Sequence, residues 1–141
     1  MRQIHINPLD PIKLPLVQKL YKTFYPSAKP KRDELILTAY IESELAAVVR
    51  FRQIDQYRLM TGMLVIPKYR GLSVGDELLT YCRQQILNSR DFCFAYPYLE
   101  SYYSRHGFVR QESEELPAEI KLLYERYTSS GKILAPMQFT P

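Results

Sequence analysis

The stretch Met63-Leu64-Val65-Ile66-Pro67-Lys68-Tyr69-Arg70-Gly71-Leu72-Ser73-Val74-Gly75-Asp76-Glu77-Leu78-Leu79 constrains the fold most, because it reads as strand, tight basic turn and helix in immediate succession. The apolar run through Ile66 suits a buried strand, and Pro67 ends it, since proline has no N–H to give to a ladder. Gly71 and Gly75 bracket a tight turn. Beyond it Val74, Leu78, Cys82 and Ile86 recur every four residues, which keeps one helical face against a core. The start of a helix presents unpaired backbone N–H groups and the positive end of its dipole, so a turn with two glycines there can wrap a phosphate. Lys68 and Arg70 add positive charge beside it. Neither the terminal Gly-Lys-Ser/Thr of a Walker A loop nor the Gly-x-Gly-x-x-Gly of a dinucleotide fold is present. The bland alternative is a self-satisfied connection in which Ser73 and Asp76 form a variant of the capping box.

A chain of 141 residues with 46% apolar and 24% charged residues has the composition of one folded domain. It shows no apolar run long enough to span a membrane and no signal-peptide pattern, so the expected location is cytoplasmic, with no membrane partner. The net charge of +4 suits anionic ligands. Lysine and arginine are dispersed rather than clustered, so no nucleic-acid partner is expected. Cys82 and Cys93 are too few for a disulfide framework and read as buried thiols.

Taken in order, residues 2–6 alternate as a short strand. Asp10-Pro11 starts a helix carrying Leu16, Val17, Leu20, Tyr21 and Phe24, which stops at Tyr25-Pro26. A basic, proline-rich loop covers residues 26–33. Residues 35–41, 45–54 and 58–66 read as three strands with short turns, an antiparallel meander. After the central helix, which should fade near Asn88-Ser89, residues 91–96 form a buried strand, giving a βαβ unit. Residues 99–105 form a short helix closed by His106-Gly107, and residues 108–111 begin another strand. The acidic residues 112–115 are a solvated link, residues 116–127 a helix, and residues 133–139 a last strand. Pro136 puts that strand at an edge or bulge, paired within the sheet or with a second subunit in a homodimer.

The turn resembles the signature of the GCN5-related N-acetyltransferases, Gln/Arg-x-x-Gly-x-Gly/Ala, here Arg70, Gly71, Leu72, Ser73, Val74 and Gly75. Ser73 stands where the family has its middle glycine. Tyr102-Tyr103-Ser104-Arg105-His106-Gly107-Phe108 is similar to the family's closing aromatic-Tyr-x-x-x-Gly-Phe motif, one helix and one strand downstream. The likeness covers about residues 2–112. It implies an α/β fold with a central, mostly antiparallel, mixed sheet flanked by helices, and a βαβ unit holding acetyl-CoA between two splayed strands. It also implies direct attack of a small-molecule or peptide amine on the thioester. On the matched positions, backbone groups from Arg70, Gly71, Leu72, Ser73, Val74, Gly75 and Asp76 take the pyrophosphate. The edge at Met63, Leu64 and Val65 takes the pantetheine and acetyl carbonyl, and Tyr103 protonates the departing thiolate. Tyr96 stands where many members carry an asparagine.

No general base is evident. Residues 58–66 contain no carboxylate, Glu42, Glu44 and Asp55 read as solvated turn charges, and lone histidines such as His5 and His106 are more often structural. No cluster has metal-ligand spacing. Two rivals remain: a non-catalytic CoA-binding module of the same fold, and a small basic nucleic-acid-binding protein. The basic loop, with Lys29, Lys31 and Arg32, points to an anionic or neutral acceptor rather than a polycation.

Overall fold

Asp10 opens the first helical segment: its carboxylate accepts the Ile12 N–H at 3.1 Å, and Pro11 starts a single 3-10 turn that runs into helix α1 (Leu14–Phe24). The computed structural model describes residues 3–141, so Arg2 of the expected first strand lies outside the described residues. That strand, β1, spans Ile4–Pro8 and pairs antiparallel with β2 (Leu35–Ile41). A two-residue turn joins β2 to β3 (Glu44–Ile54), with Glu42 and Ser43 both left-handed, the geometry that matches the twist of a hairpin. Asp55, also left-handed, begins the short turn from β3 into β4 (Tyr57–Val65). The expected meander is therefore present.

The chain continues through α2 (Val74–Gln85), β5 (Asp91–Ala95), α3 (Glu100–Arg105), β6 (Phe108–Arg110), α4 (Ala118–Thr128) and β7 (Ala135–Phe139). The strands form one seven-stranded mixed α/β sheet in the order β1-β2-β3-β4-β5-β7-β6, flanked by helices. None of the described helices is long and apolar enough to cross a membrane.

The chain divides into two compact units, residues up to Arg52 with Met60–Cys82, and Gln53–Leu59 with Arg83–Pro141. In the first, Leu14, Val17 and Tyr21 of α1 pack on Ile36, Val48 and Leu64 of the strands. In the second, Leu59 and Phe92 meet Leu116, Ile120 and Leu123, and the Phe94 ring stands edge-on to Tyr124 and Tyr127. A buried carboxylate anchors the second unit. Asp91 is fully buried, and it accepts Arg58 Nε and Nη2, each at 2.7 Å, and the Asn88 N–H at 2.9 Å. A charge taken from water is tolerable only with such full pairing.

Strand β7 begins at Ala135 rather than residue 133, and other points also differ from the sequence reading. Helix α2 ends at Gln85 rather than near Asn88, because the Asn88 N–H is engaged by Asp91 and its side chain accepts the Arg90 N–H. Helix α4 starts at Ala118, after Pro117, leaving Leu116 buried outside it. Strand β7 is not at an edge: it pairs antiparallel with both β5 and β6. Pro136 is tolerated because β6 pairing begins one residue later, at Arg110↔Met137, and only its carbonyl is used there, accepting the Gln111 N–H.

Candidate active site

Pro67 ends β4 and starts a 3-10 turn through Tyr69, whose ring is buried. Residues 70–73 then lead into α2, with the Glu77 N–H closing the first helical bond on the Ser73 carbonyl at 3.0 Å. Gly71 has φ +81, and nothing lies within 4 Å of the point its Cβ would occupy, so the turn is open there. Ser73 has φ +64, a left-handed conformation that side chains other than glycine's adopt at a cost. A capping-box serine is extended instead, so the backbone of Ser73 departs from that of a capping box.

The two basic side chains act on the turn itself. Arg70 Nε donates to the Val65 carbonyl at 2.9 Å, tying the loop back to the end of β4. Lys68 Nζ is bonded to Glu44 Oε1 at 2.9 Å, and the Tyr69 hydroxyl donates to the same oxygen. The Glu44 side chain is exposed, as its reading as a solvated charge has it, but it is also paired. It is the first residue of β3, and it holds the turn after β4 in place. The Tyr69 hydrogen bond, then Lys68, holds its carboxyl below the usual carboxylate range, while Glu44 in turn raises the Lys68 ammonium.

Met63, Leu64 and Val65 close β4. Leu64 faces the α1 core, whereas Met63 and Val65 are half-buried. Just before them, Gly62 has φ +66 and accepts a hydrogen bond from the Tyr21 hydroxyl on its carbonyl. A left-handed residue inside a strand interrupts the pleat. An isolated glycine within an apolar strand is the sequence signal that could have found it.

In the second unit, α3 carries Tyr103, which is 9% exposed and packed edge-on against Tyr102 and Phe108. The closing glycine has a packing reason. A Cβ on Gly107 would stand 2.6 Å from Phe139, whose ring also packs on Phe108. His106 is buried against Tyr102 and its N–H bonds the Tyr103 carbonyl, a structural duty. Tyr96, at the position that departs from the family pattern, stacks on Tyr98. Cys82 and Cys93 are buried and form no disulfide, and burial pushes the Cys93 thiol up, which keeps it protonated. Among the described residues no group of histidine, cysteine and carboxylate could hold a metal.

A seven-stranded mixed sheet flanked by helices, with a tight turn between β4 and α2, is the arrangement of the acyl-CoA N-acyltransferase fold. The Acetyltransferase (GNAT) domain profile matches residues 32–110, and the chain belongs to that family. Solved structures agree on the fold. N-acetylglutamate synthase from Neisseria gonorrhoeae, complexed with coenzyme A and N-acetyl-glutamate, superposes with a TM-score of 0.75 at 14% identity over 99% of this chain. The chain spans 36% of the length of that protein. Arabidopsis thaliana Naa50, in complex with the bisubstrate analogue CoA-Ac-MVNAL, gives 0.67 at 12% identity, covering 98% of this chain and 99% of that one. PaiA N-acetyltransferase from Thermoplasma acidophilum, in complex with coenzyme A, gives 0.61 at 14% identity with 99% of each chain covered. No curated protein sequence matches the chain.

Proposed function

We propose that residues 1–141 form one acetyl-CoA-dependent N-acetyltransferase domain that passes an acetyl group to a primary amine of a small molecule or peptide by direct attack. The observation that carries this reading is the turn at residues 70–76. It is open at Gly71 and left-handed at Ser73, it leads into the start of a twelve-residue helix, and it lies in a chain of the GNAT family. Relatives of the same fold crystallised with coenzyme A support it.

Bound acetyl-CoA supplies an acetyl group already activated as a thioester. In this reading the backbone N–H groups of Arg70, Gly71, Leu72, Ser73, Val74, Gly75 and Asp76 hold the pyrophosphate. Strand-edge groups of Met63, Leu64 and Val65 hold the pantetheine, and the Met63 N–H polarises the acetyl carbonyl as its oxygen gains charge. Tyr103 gives its phenolic proton to sulfur while the C–S bond breaks and the new C–N bond forms. A phenol near pKa 10 and a thiol near 8.5 are matched closely enough for that transfer. The proton lost by the amine passes to water, because β4 carries no carboxylate and Glu44 is engaged by Tyr69 and Lys68. Two cysteines kept as thiols fit a reducing compartment, and we place the activity in the cytoplasm.

The test is thermal unfolding with and without millimolar acetyl-CoA, Gly75→Val serving as the control whose branched side chain blocks the turn, followed by turnover on a panel of amines. Ligand at a hundred times its dissociation constant adds about 2.7 kcal/mol, ~8 °C for a chain of this size. A rise in wild type that the variant lacks, with turnover, supports the enzyme; no rise removes the cofactor assignment. The engagement of Glu44 favours a second reading, a CoA-binding module without catalysis, which a thermal rise with no turnover on any amine selects.

A further inference from the structure

We infer that Tyr21, held by Arg50 and Glu34, is a positioning residue that aims the Met63 N–H at the acetyl carbonyl; this rests on the reading of Met63 given above. The Gly62 carbonyl and the Met63 N–H belong to one peptide unit. That unit is planar and trans, so its C=O and N–H point in opposite directions. By donating to the Gly62 carbonyl, the Tyr21 hydroxyl fixes the rotation of the whole plane, and with it the direction of the Met63 N–H on the other side. An N–H whose carbonyl already accepts a hydrogen bond is also a stronger donor.

The surroundings are built around that bond. Gly62 has φ +66, and a Cβ there would stand 2.9 Å from the Tyr21 oxygen and 2.7 Å from Arg50 Nε, so only glycine lets both groups reach the strand. The Arg50 guanidinium lies 5.2 Å from the centre of the Tyr21 ring. It is fixed there by Glu34, whose carboxylate oxygens accept Nη1 at 2.8 and 3.0 Å. Both side chains are more than nine-tenths buried, at 8% and 5% exposure. Glu34 also accepts the Lys31 N–H at 2.8 Å, which ties the basic loop to the same pair. Arg50 Nε is a buried polar atom without a hydrogen-bond partner, a donor left unmatched so that the guanidinium can sit over the ring. Burial raises the Tyr21 phenol well above its ordinary value, so it stays a donor at any working pH. A tyrosine whose only role was to fill the α1 core would need none of this.

The experiment is infrared spectroscopy of acetyl-CoA labelled at the acetyl carbonyl, bound to wild type, Tyr21→Phe and Glu34→Gln, with the dissociation constant of each complex measured in parallel. The expected result is a carbonyl band displaced to lower frequency in wild type, most of that displacement lost in Tyr21→Phe and a smaller part in Glu34→Gln, with affinity unchanged. If Tyr21→Phe does not fold, Glu34→Gln carries the test alone. A displacement fully kept in the variants overturns the role of Tyr21 and leaves Met63 as the donor. No displacement in wild type removes the Met63 assignment itself, and the inference with it.

Discussion

Replacing Ser73 by glycine tests whether the turn before α2 is a strained cradle or a capped helix start. Ser73 has φ +64, which costs a side chain about 1–2 kcal/mol relative to glycine. Glycine in turn gives up about 0.4–1 kcal/mol through the greater freedom of the unfolded chain. The two partly offset, so Ser73→Gly is expected to leave the melting temperature unchanged or raise it by up to ~5 °C, at roughly 3 °C per kcal/mol for a domain of this length. Removing the Cβ lets the backbone approach the pyrophosphate more closely, so coenzyme A should bind more tightly in the same variant, read by calorimetric titration. Ser73→Val is the opposite perturbation. A branched side chain at a left-handed position should lower both stability and affinity. A capping serine gives a different pattern, because losing it costs only a few tenths of a kcal/mol to glycine and about 1 kcal/mol to alanine. A lower melting temperature on Ser73→Gly together with weaker coenzyme A binding refutes the cradle.

Tyr103→Phe is expected to lower turnover about ten- to a thousandfold with little change in cofactor affinity, the usual span for a lost general acid; an unaltered rate means another group protonates sulfur. Gly107→Ala combines φ +95 with a Cβ 2.6 Å from the buried Phe139 ring. It should cost about 2–4 kcal/mol from overpacking and backbone strain, seen as a melting temperature ~6–12 °C lower, and a shift of a degree or less contradicts the packing argument. Glu44→Gln removes a carboxylate whose pKa is depressed in the folded protein, so the stabilisation it gives is present at neutral pH. That stabilisation is lost as the pH falls below the ordinary glutamate value of about 4.3. The melting-temperature gap between wild type and variant should therefore close on acidification, and a gap independent of pH rules the carboxylate out.

Much of this was legible in the sequence because its signals are local. Alternation over residues 35–65, a proline at the end of β4 and apolar spacing from Val74 to Cys82 each act through neighbours in the chain, and each element appears where its pattern lies. The tight turn between β4 and α2 was legible for the same reason. What escaped depends on partners distant in sequence. Glu44 carries an exposed charge as read, but nothing local shows that Tyr69 and Lys68 fold back onto it. Lys68 and Arg70 read as positive charge beside the turn, and the structure pairs one with Glu44 and the other with the Val65 carbonyl. The link from Gly62 to Tyr21, across forty-one residues, could not be read from spacing at all. Pro136 misled because a proline implies an edge only where its missing donor would be called on, and β6 stops just short of it.

The place of β7 also bears on how the protein is made. Among the described residues it is the last strand in sequence and yet an interior one, between β5 and β6. During synthesis both of those strands exist with an unpaired edge until residues 135–139 leave the ribosome, and such edges recruit strands from other chains. Crowded, fast expression should therefore send more of the protein into inclusion bodies than slow expression in the cold.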